Sequence, residues 1–177
     1  AVPLYWARYG PAGAAPILVL HGGPGAHHDY LLPQMLALGG GAGGRELMFY
    51  DQRGGGRSKT HTQDPITWET QVRDLVDVIC EFGLHEPTIV GYSFGGLLAL
   101  LFAADAARDR TLPQPAALVL IDPAPIARRY RDVFEREFAR RQSGPDVTRL
   151  RNELNASGLR ASDPDRFRQR TFELSVA

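Results

Sequence analysis

The sequence predicts an α/β fold in which helices flank a mostly parallel sheet. Short runs rich in Val, Ile and Leu alternate with stretches of helical periodicity over the first two thirds of the chain. These runs contain few polar residues, which is typical of strands that are buried on both faces of a sheet. Strands that alternate with helices are joined by right-handed crossovers, so we expect them to run parallel.

Five strands and three intervening helices are predicted in chain order. The strands are expected at residues 4–9, 17–20, 46–50, 88–91 and 117–121. The helices are expected at about residues 30–38, 67–82 and 94–107. The second helix has the clearest periodicity and carries a candidate N-cap at Thr67, with Thr70 nearby. Glycine-rich segments predict a turn at residues 10–13 and a surface loop at residues 39–44.

The pattern changes after Asp122, where the strand signal stops. Residues 123–177 contain 12 arginines and 8 acidic residues, and apolar residues recur there at helical spacing. We interpret residues 1–122 as the N-terminal part of an α/β core and residues 123–177 as a helical segment. The change indicates a new layer rather than an independent domain.

Composition limits the classes of partner. The formal net charge is zero, which disfavours a nucleic acid or an anionic membrane as the partner. No apolar run is long enough to cross a bilayer, and we see no secretory leader. The single cysteine, Cys80, excludes an internal disulfide and fits a reducing compartment, so we expect a cytoplasmic protein. We expect Cys80 to pack on the core side of its helix.

The central motif is Gly91-x-Ser93-x-Gly95, between the fourth strand and the third helix. This context is that of a nucleophile elbow, in which a sharp turn exposes a serine hydroxyl. Gly91 and Gly95 are expected where a Cβ would collide with neighbouring backbone. Ser93 would lie at a helix N-terminus, where free N–H groups favour developing negative charge, and the N–H of Phe94 would be one donor to an oxyanion.

Two further loops follow strands. His21-Gly22-Gly23-Pro24-Gly25 follows the second strand, and its glycines predict close backbone approach to a neighbour. Asp51-Gln52-Arg53-Gly54 follows the third, and we expect Asp51 and Arg53 to join loops by an ion pair behind the elbow. The His27-His28-Asp29 run is interpreted as loop and helix start, because adjacent histidines point apart and there is no second ligand cluster. We therefore predict no metal.

Together these three motifs resemble the α/β-hydrolase superfamily and, more closely, its proline iminopeptidase group, over residues 4–122. The resemblance implies an α/β-hydrolase fold and a serine aminopeptidase that needs no cofactor. It implies that Gly23 supplies the second oxyanion donor and that residues from 123 onward begin a helical cap. Its substrate would be a peptide, or a small amide or ester. The elbow of this group often has Trp after the serine, whereas this chain has Phe94, which weakens the carry-over of strict proline specificity.

A catalytic histidine is missing at the expected place. All five histidines precede Ser93, whereas the triad of an α/β-hydrolase runs serine, acid, histidine in chain order. Asp122 ends a strand beside the elbow strand, but an Asp at a strand end before Pro is more often a cap or turn residue than an acid. His21 as an improvised base is disfavoured because its loop serves the oxyanion. The sequence therefore predicts that the catalytic Asp and His are absent from this chain and that the chain alone is inactive.

Three interpretations stay open. The chain is the N-terminal part of a proline iminopeptidase-like enzyme, or of a related esterase or amidase, or it is a non-catalytic or partner-completed binding protein. The first interpretation also predicts that the isolated chain is marginally stable because of exposed apolar edges. The oligomeric state is left open by the sequence.

Overall fold

A five-stranded sheet forms the centre of the computed structural model, which describes residues 2–11, 16–39, 44–61 and 64–176. Its strands are β1 (Trp6–Tyr9), β2 (Ile17–Leu20), β3 (Leu47–Tyr50), β4 (Thr88–Tyr92) and β5 (Ala117–Ile121). The strand order is β1-β3-β2-β4-β5, and only β1 is antiparallel to its neighbour. The predicted α/β fold with a mostly parallel sheet is confirmed.

The chain divides into two units, Ala1–Ala124 and Pro125–Ala177. The first unit contains the sheet and the helices α1 (Leu32–Gly39), α2 (Trp68–Glu81) and α3 (Phe94–Arg108). A 3₁₀ turn at His28–Leu31 leads into α1. The second unit contains α4 (Arg128–Gln142), α5 (Pro145–Ala156), α6 (Leu159–Ser162) and α7 (Pro164–Val176). The short helix α6 was not predicted from the sequence.

The core of the first unit lies on both faces of the sheet. Alternate strand residues such as Leu18 and Met48 pack with α2 and α3, and the residues between them, such as Val19 and Phe49, pack with α1. All four side chains are fully buried. This double burial explains why the strands read as continuous apolar runs.

Helix α2 begins where the sequence indicates. The Thr67 hydroxyl accepts the N–H of Thr70 at 3.3 Å, and the Thr70 hydroxyl accepts the N–H of Thr67 at 3.0 Å, so the two residues cap the helix reciprocally. The expectation for Cys80 is wrong, because its side chain is exposed. The buried stripe of α2 includes the polar residues Gln71 and Asp74 instead. Residues 12, 13 and 40–43 of the predicted turn and loop lie outside the described residues.

In the second unit, no residue with a described side chain is buried. Helix α4 carries an apolar stripe that is exposed, with Phe134 at 57% and Phe138 at 43%, and their rings are stacked 5.8 Å apart. In the part of the chain that the structure describes, no helix combines the length and apolar character that a membrane span requires.

Candidate active site

The sheet register brings the three loop motifs side by side. Leu20 pairs with Gly91 across β2 and β4, and Val19 pairs with Phe49 across β2 and β3. The loops that follow these parallel strands therefore leave the same edge of the sheet, with the loop from His21 between the other two. A Cβ built on Gly22 would lie 3.2 Å from the Cβ of Ser93, so this loop contacts the elbow directly.

Ser93 occupies a strained turn between β4 and α3. Its backbone has φ 51° and ψ −116°, a region that non-glycine residues rarely adopt and that costs on the order of 1–3 kcal/mol. A Cβ on Gly91 would lie 2.5 Å from the oxygen of Gly95, and one on Gly95 would collide with the carbonyls of Leu20 and His21. Both glycines are therefore required by close backbone approach. The Ser93 side chain is partly exposed.

Two backbone N–H groups near Ser93 are free of internal acceptors. The N–H of Gly22 donates to the Tyr30 hydroxyl at 2.7 Å, and Pro24, whose bond to Gly23 is cis, has no N–H to offer. Among the described residues, neither Gly23 nor Phe94 donates its N–H to a protein acceptor. Phe94 is the first residue of α3, so its N–H belongs to the unpaired first turn of that helix.

His21 is held as a structural residue. The N–H of Gln52 donates to its Nε2 at 3.0 Å, so Nε2 is unprotonated, and Nδ1 carries the proton and donates to the carbonyl of Gly22 at 2.6 Å. Its side chain is fully buried, and this burial lowers the pKa of the ring. Both nitrogens are occupied, so the ring has no free site for the proton of Ser93.

The expected ion pair between Asp51 and Arg53 is wrong. Asp51 is fully buried and accepts the Nδ1–H of His28 at 2.7 Å, the N–H of His28 at 2.9 Å and the N–H of Arg57 at 2.8 Å. Burial by itself raises the pKa of Asp51, but these hydrogen bonds outweigh it and lower the pKa. Arg53 instead forms two hydrogen bonds with Asp74 on α2, at 2.6 and 2.7 Å.

No described histidine hydrogen-bonds to Ser93. His28 has the ring orientation of a catalytic dyad, with Nδ1 on a carboxylate, but its ring is fully buried between Tyr5 and Phe49. Its Nε2 lies 3.2 Å from an oxygen of Asp29 in a geometry that is not a hydrogen bond. His27, the first residue of the His27-His28-Asp29 run, is half exposed. No group of three or more His, Cys, Asp or Glu residues in the described ranges is arranged to hold a metal ion.

Asp122 lies next to the elbow. Tyr92 pairs with Ile121, and the N–H of Ser93 donates to the carbonyl of Ile121 at 3.0 Å, so Asp122 follows directly beside Ser93. It has a positive φ of 44° and an exposed side chain. In the described part of the chain its carboxylate makes no hydrogen bond or ion pair. A cap or turn role, which the sequence favours for Asp122 over an acid role, stays a prediction.

Sequence reasoning missed three residues that shape this site, namely Tyr30, His28 and Gln52. Gln52 lies inside the Asp51–Gly54 motif and His28 lies three residues after the glycine motif. Their positions in the sequence could therefore have marked them as residues of the site. Tyr30 stands at the helix start with no motif around it, and only the fold brings its hydroxyl to Gly22.

Comparison with known proteins agrees with the α/β architecture described above. A family model described as alpha/beta hydrolase fold matches residues 15–171. A proline iminopeptidase from Lactobacillus delbrueckii subsp. lactis is 37% identical over 94 residues, which are 51% of this chain and 31% of that protein. The crystal structure of the proline iminopeptidase of Mycobacterium smegmatis superposes with a TM-score of 0.63 and 28% identity, covering 96% of this chain and 56% of that one. A proline iminopeptidase-related protein from Thermus thermophilus gives a TM-score of 0.57 at 29% identity, covering 68% and 40% of the two chains.

The chain belongs to the α/β-hydrolase fold family. Within that family, the matched part of its sequence is similar to the proline iminopeptidases. The matched segment spans about a third of the length of that curated relative, and the structural match spans 56% of the mycobacterial enzyme.

Proposed function

We propose that Ser93 is the nucleophile of a serine hydrolase that resembles proline iminopeptidase and releases an N-terminal residue, preferably proline, from peptides. The observation that carries the proposal is the strained turn of Ser93, which lies at the start of α3 and against the glycine loop of residues 21–25. A serine held in this way is exposed to a substrate on a rigid scaffold.

The chemistry would proceed through an acyl-enzyme. Ser93 Oγ attacks the carbonyl carbon of the first residue, and the N–H groups of Gly23 and Phe94 donate to the oxyanion. Each such donor contributes on the order of 3–4 kcal/mol to lowering the barrier. The proton of Ser93 passes to a base and then to the leaving amine, after which water hydrolyses the ester. No metal or organic cofactor is needed for these steps.

The base and the acid are proposed to come from outside these 177 residues. All five histidines precede Ser93, and none hydrogen-bonds to it in the described part of the chain. Without a base, a serine hydroxyl is a weak nucleophile at neutral pH. The same observation favours a second candidate, a non-catalytic or partner-completed binding protein. A related esterase or amidase would share the same elbow.

The test is covalent labelling of the protein purified from its natural source. A fluorophosphonate should label one serine, and peptide mapping should assign the label to Ser93, while the Ser93→Ala variant stays unlabelled. Intact mass above 19.4 kDa would locate the base in a longer chain, and labelling that requires a second protein would locate it in a partner. An unlabelled wild-type protein would support the non-catalytic candidate.

Substrate class is tested by a pair of substrates. The proposal expects hydrolysis of a proline anilide to exceed hydrolysis of a short acyl ester in kcat/KM. The reverse order would favour the esterase. A cytoplasmic location also belongs to the proposal and is supported by the single cysteine, which fits a reducing compartment.

A further inference from the structure

The loop that follows β2 is attached at both of its ends to the start of the loop that follows β3. We define the glycine loop as residues 21–28 and the clamp loop as residues 51–58. At the start of the glycine loop, Gln52 donates its backbone N–H to Nε2 of His21 and its side-chain amide to the carbonyl of His21, at 3.0 and 2.7 Å. At its end, Asp51 accepts two hydrogen bonds from His28. Gly23 lies between these two attachment points.

All the side chains of these two attachments are fully buried. His21, His28, Asp51 and Gln52 each have 0% exposure. A hydrogen bond inside the protein is stronger than one in contact with water, and losing one partner leaves a buried polar group unpaired. The attachments therefore hold the ends of the glycine loop in fixed positions.

Close backbone contact supports the middle of the glycine loop. A Cβ on Gly55 would lie 3.2 Å from the carbonyl carbon of Gly25 and would collide with the carbonyl of Ala26, and one on Gly56 would lie 2.8 Å from the Cβ of His27. The clamp loop is in turn anchored to Tyr5, the residue before β1, since the Ser58 hydroxyl donates to the carbonyl of Asp51 at 2.5 Å and accepts the N–H of Tyr5 at 2.8 Å. The glycine loop thus rests on a rigid support.

From this geometry we infer that Asp51 and Gln52 are positioning residues that hold the Gly23 N–H against Ser93 for oxyanion binding. The inference rests on the proposed function for the chemical role of Gly23, but the loop support is testable without it. Since a displacement of about 1 Å in a catalytic site can cost about 10²-fold in rate, a loosened loop should lower kcat more than it raises KM.

The first arm of the test measures hydrogen exchange in the protein at its natural length. Asp51→Asn keeps the side-chain volume but replaces an acceptor that faces three donors. Gln52→Met removes the side-chain donor to the carbonyl of His21 and keeps the backbone N–H that donates to its Nε2. Both variants should accelerate amide exchange in residues 22–28 by about tenfold or more. Asp105→Asn is the matched control, because it makes the same chemical change at an exposed ion pair with Arg108 that touches neither loop.

The second arm measures kcat and KM with the proline anilide. Asp51→Asn and Gln52→Met should each lower kcat by roughly 10²-fold with KM changed by less than about threefold, whereas Asp105→Asn should keep kcat near the wild-type value. Unchanged exchange in residues 22–28 for both variants, or equal acceleration in the control, would overturn the inference. An inactive and unlabelled wild type would defeat the proposed function alone, since the exchange arm would still report on the loop.

Discussion

At the scale of single residues, the site depends on polar side chains that are fully buried. His21 is one of them, and both of its ring nitrogens take part in hydrogen bonds. His21 accepts from Gln52 and donates to Gly22, so its ring is fixed in one neutral tautomer. A protonated ring would need a new acceptor for Nε2 and would set a positive charge against the Gln52 N–H. Protonation of His21 in acid should therefore break its hydrogen bond from Gln52 and loosen the start of the glycine loop.

The free energy of unfolding should fall as the pH drops below about 6.5. Burial lowers the pKa of His21 from the usual 6.5, so below that pH the unfolded chain binds a proton that the folded chain does not, and acid favours unfolding. This contribution is fully present above about pH 6.5 and is lost as the pH falls toward the lowered pKa. Urea unfolding between about pH 7.5 and about pH 5 measures it.

The control for this dependence is His21→Gln, which does not titrate and should flatten the slope. If that variant does not fold, an NMR titration of the His21 ring in the wild-type protein decides. A titration midpoint at or above 6.5 would show that the ring is not held neutral by burial.

At the scale of elements, helix α2 is tied to the clamp loop by a forked ion pair. The side chains of Arg53 and Asp74 are 10% and 6% exposed, and Gln71 donates to the carbonyl of Arg53 at 3.1 Å. The hydrogen bonds that Arg53 donates to Asp74 outweigh burial and raise the pKa of Arg53. The packed face of α2 therefore anchors a loop that has little regular structure of its own.

Asp74→Asn should lower the free energy of unfolding by about 3 kcal/mol, the lower end of the range for breaking a buried ion pair. The loss arises because a buried guanidinium keeps its charge without a carboxylate partner. Urea midpoints measure it, with Glu135→Gln on α4 as the comparison, since Glu135 pairs with Arg131 in solvent and should leave the midpoint unchanged. Equal midpoints for the two variants would contradict the stabilising role of the pair.

Much of this architecture could be predicted from sequence because local patterns determine it. The apolar runs predicted the strands, and Thr67 predicted the start of α2. The partner of Arg53 could not be predicted, since Asp74 reads as a surface charge between apolar helix positions and only the packing of α2 on the clamp loop buries it. The partner of Asp51 could not be predicted for a similar reason. In the sequence His28 is one of two adjacent loop histidines, and only the fold packs its ring against Tyr5 and beside Asp51.

At the scale of the whole molecule, stability is distributed unevenly between the two units. Strands β2 and β3 contain fully buried residues, whereas no residue with a described side chain in residues 125–177 is buried. The ion pairs described in helices α4 to α7, such as Arg140–Glu137, are exposed and lie within single helices. Surface pairs of this kind contribute little to stability.

Amide exchange should reflect this difference. We expect the amides of α4 to α7 to exchange faster than those of β2, β3 and β4 by at least about tenfold, because local opening of the second unit exposes little apolar surface. Hydrogen exchange followed by mass spectrometry on the wild-type protein measures it. The exposed β5 offers an internal comparison, and exchange in α4 to α7 as slow as in β3 would mean that the second unit is stabilised by contacts beyond its own.

The positive φ of Ser93 has an evolutionary consequence. Glycine adopts that backbone geometry without strain, so folding alone would favour glycine at position 93, and under the proposed function the need for a hydroxyl opposes it. A lineage of this family that lost its catalytic role would be released from that conflict. Such descendants should drift toward glycine at position 93, while the glycines at 91 and 95, which close backbone approach requires, are retained.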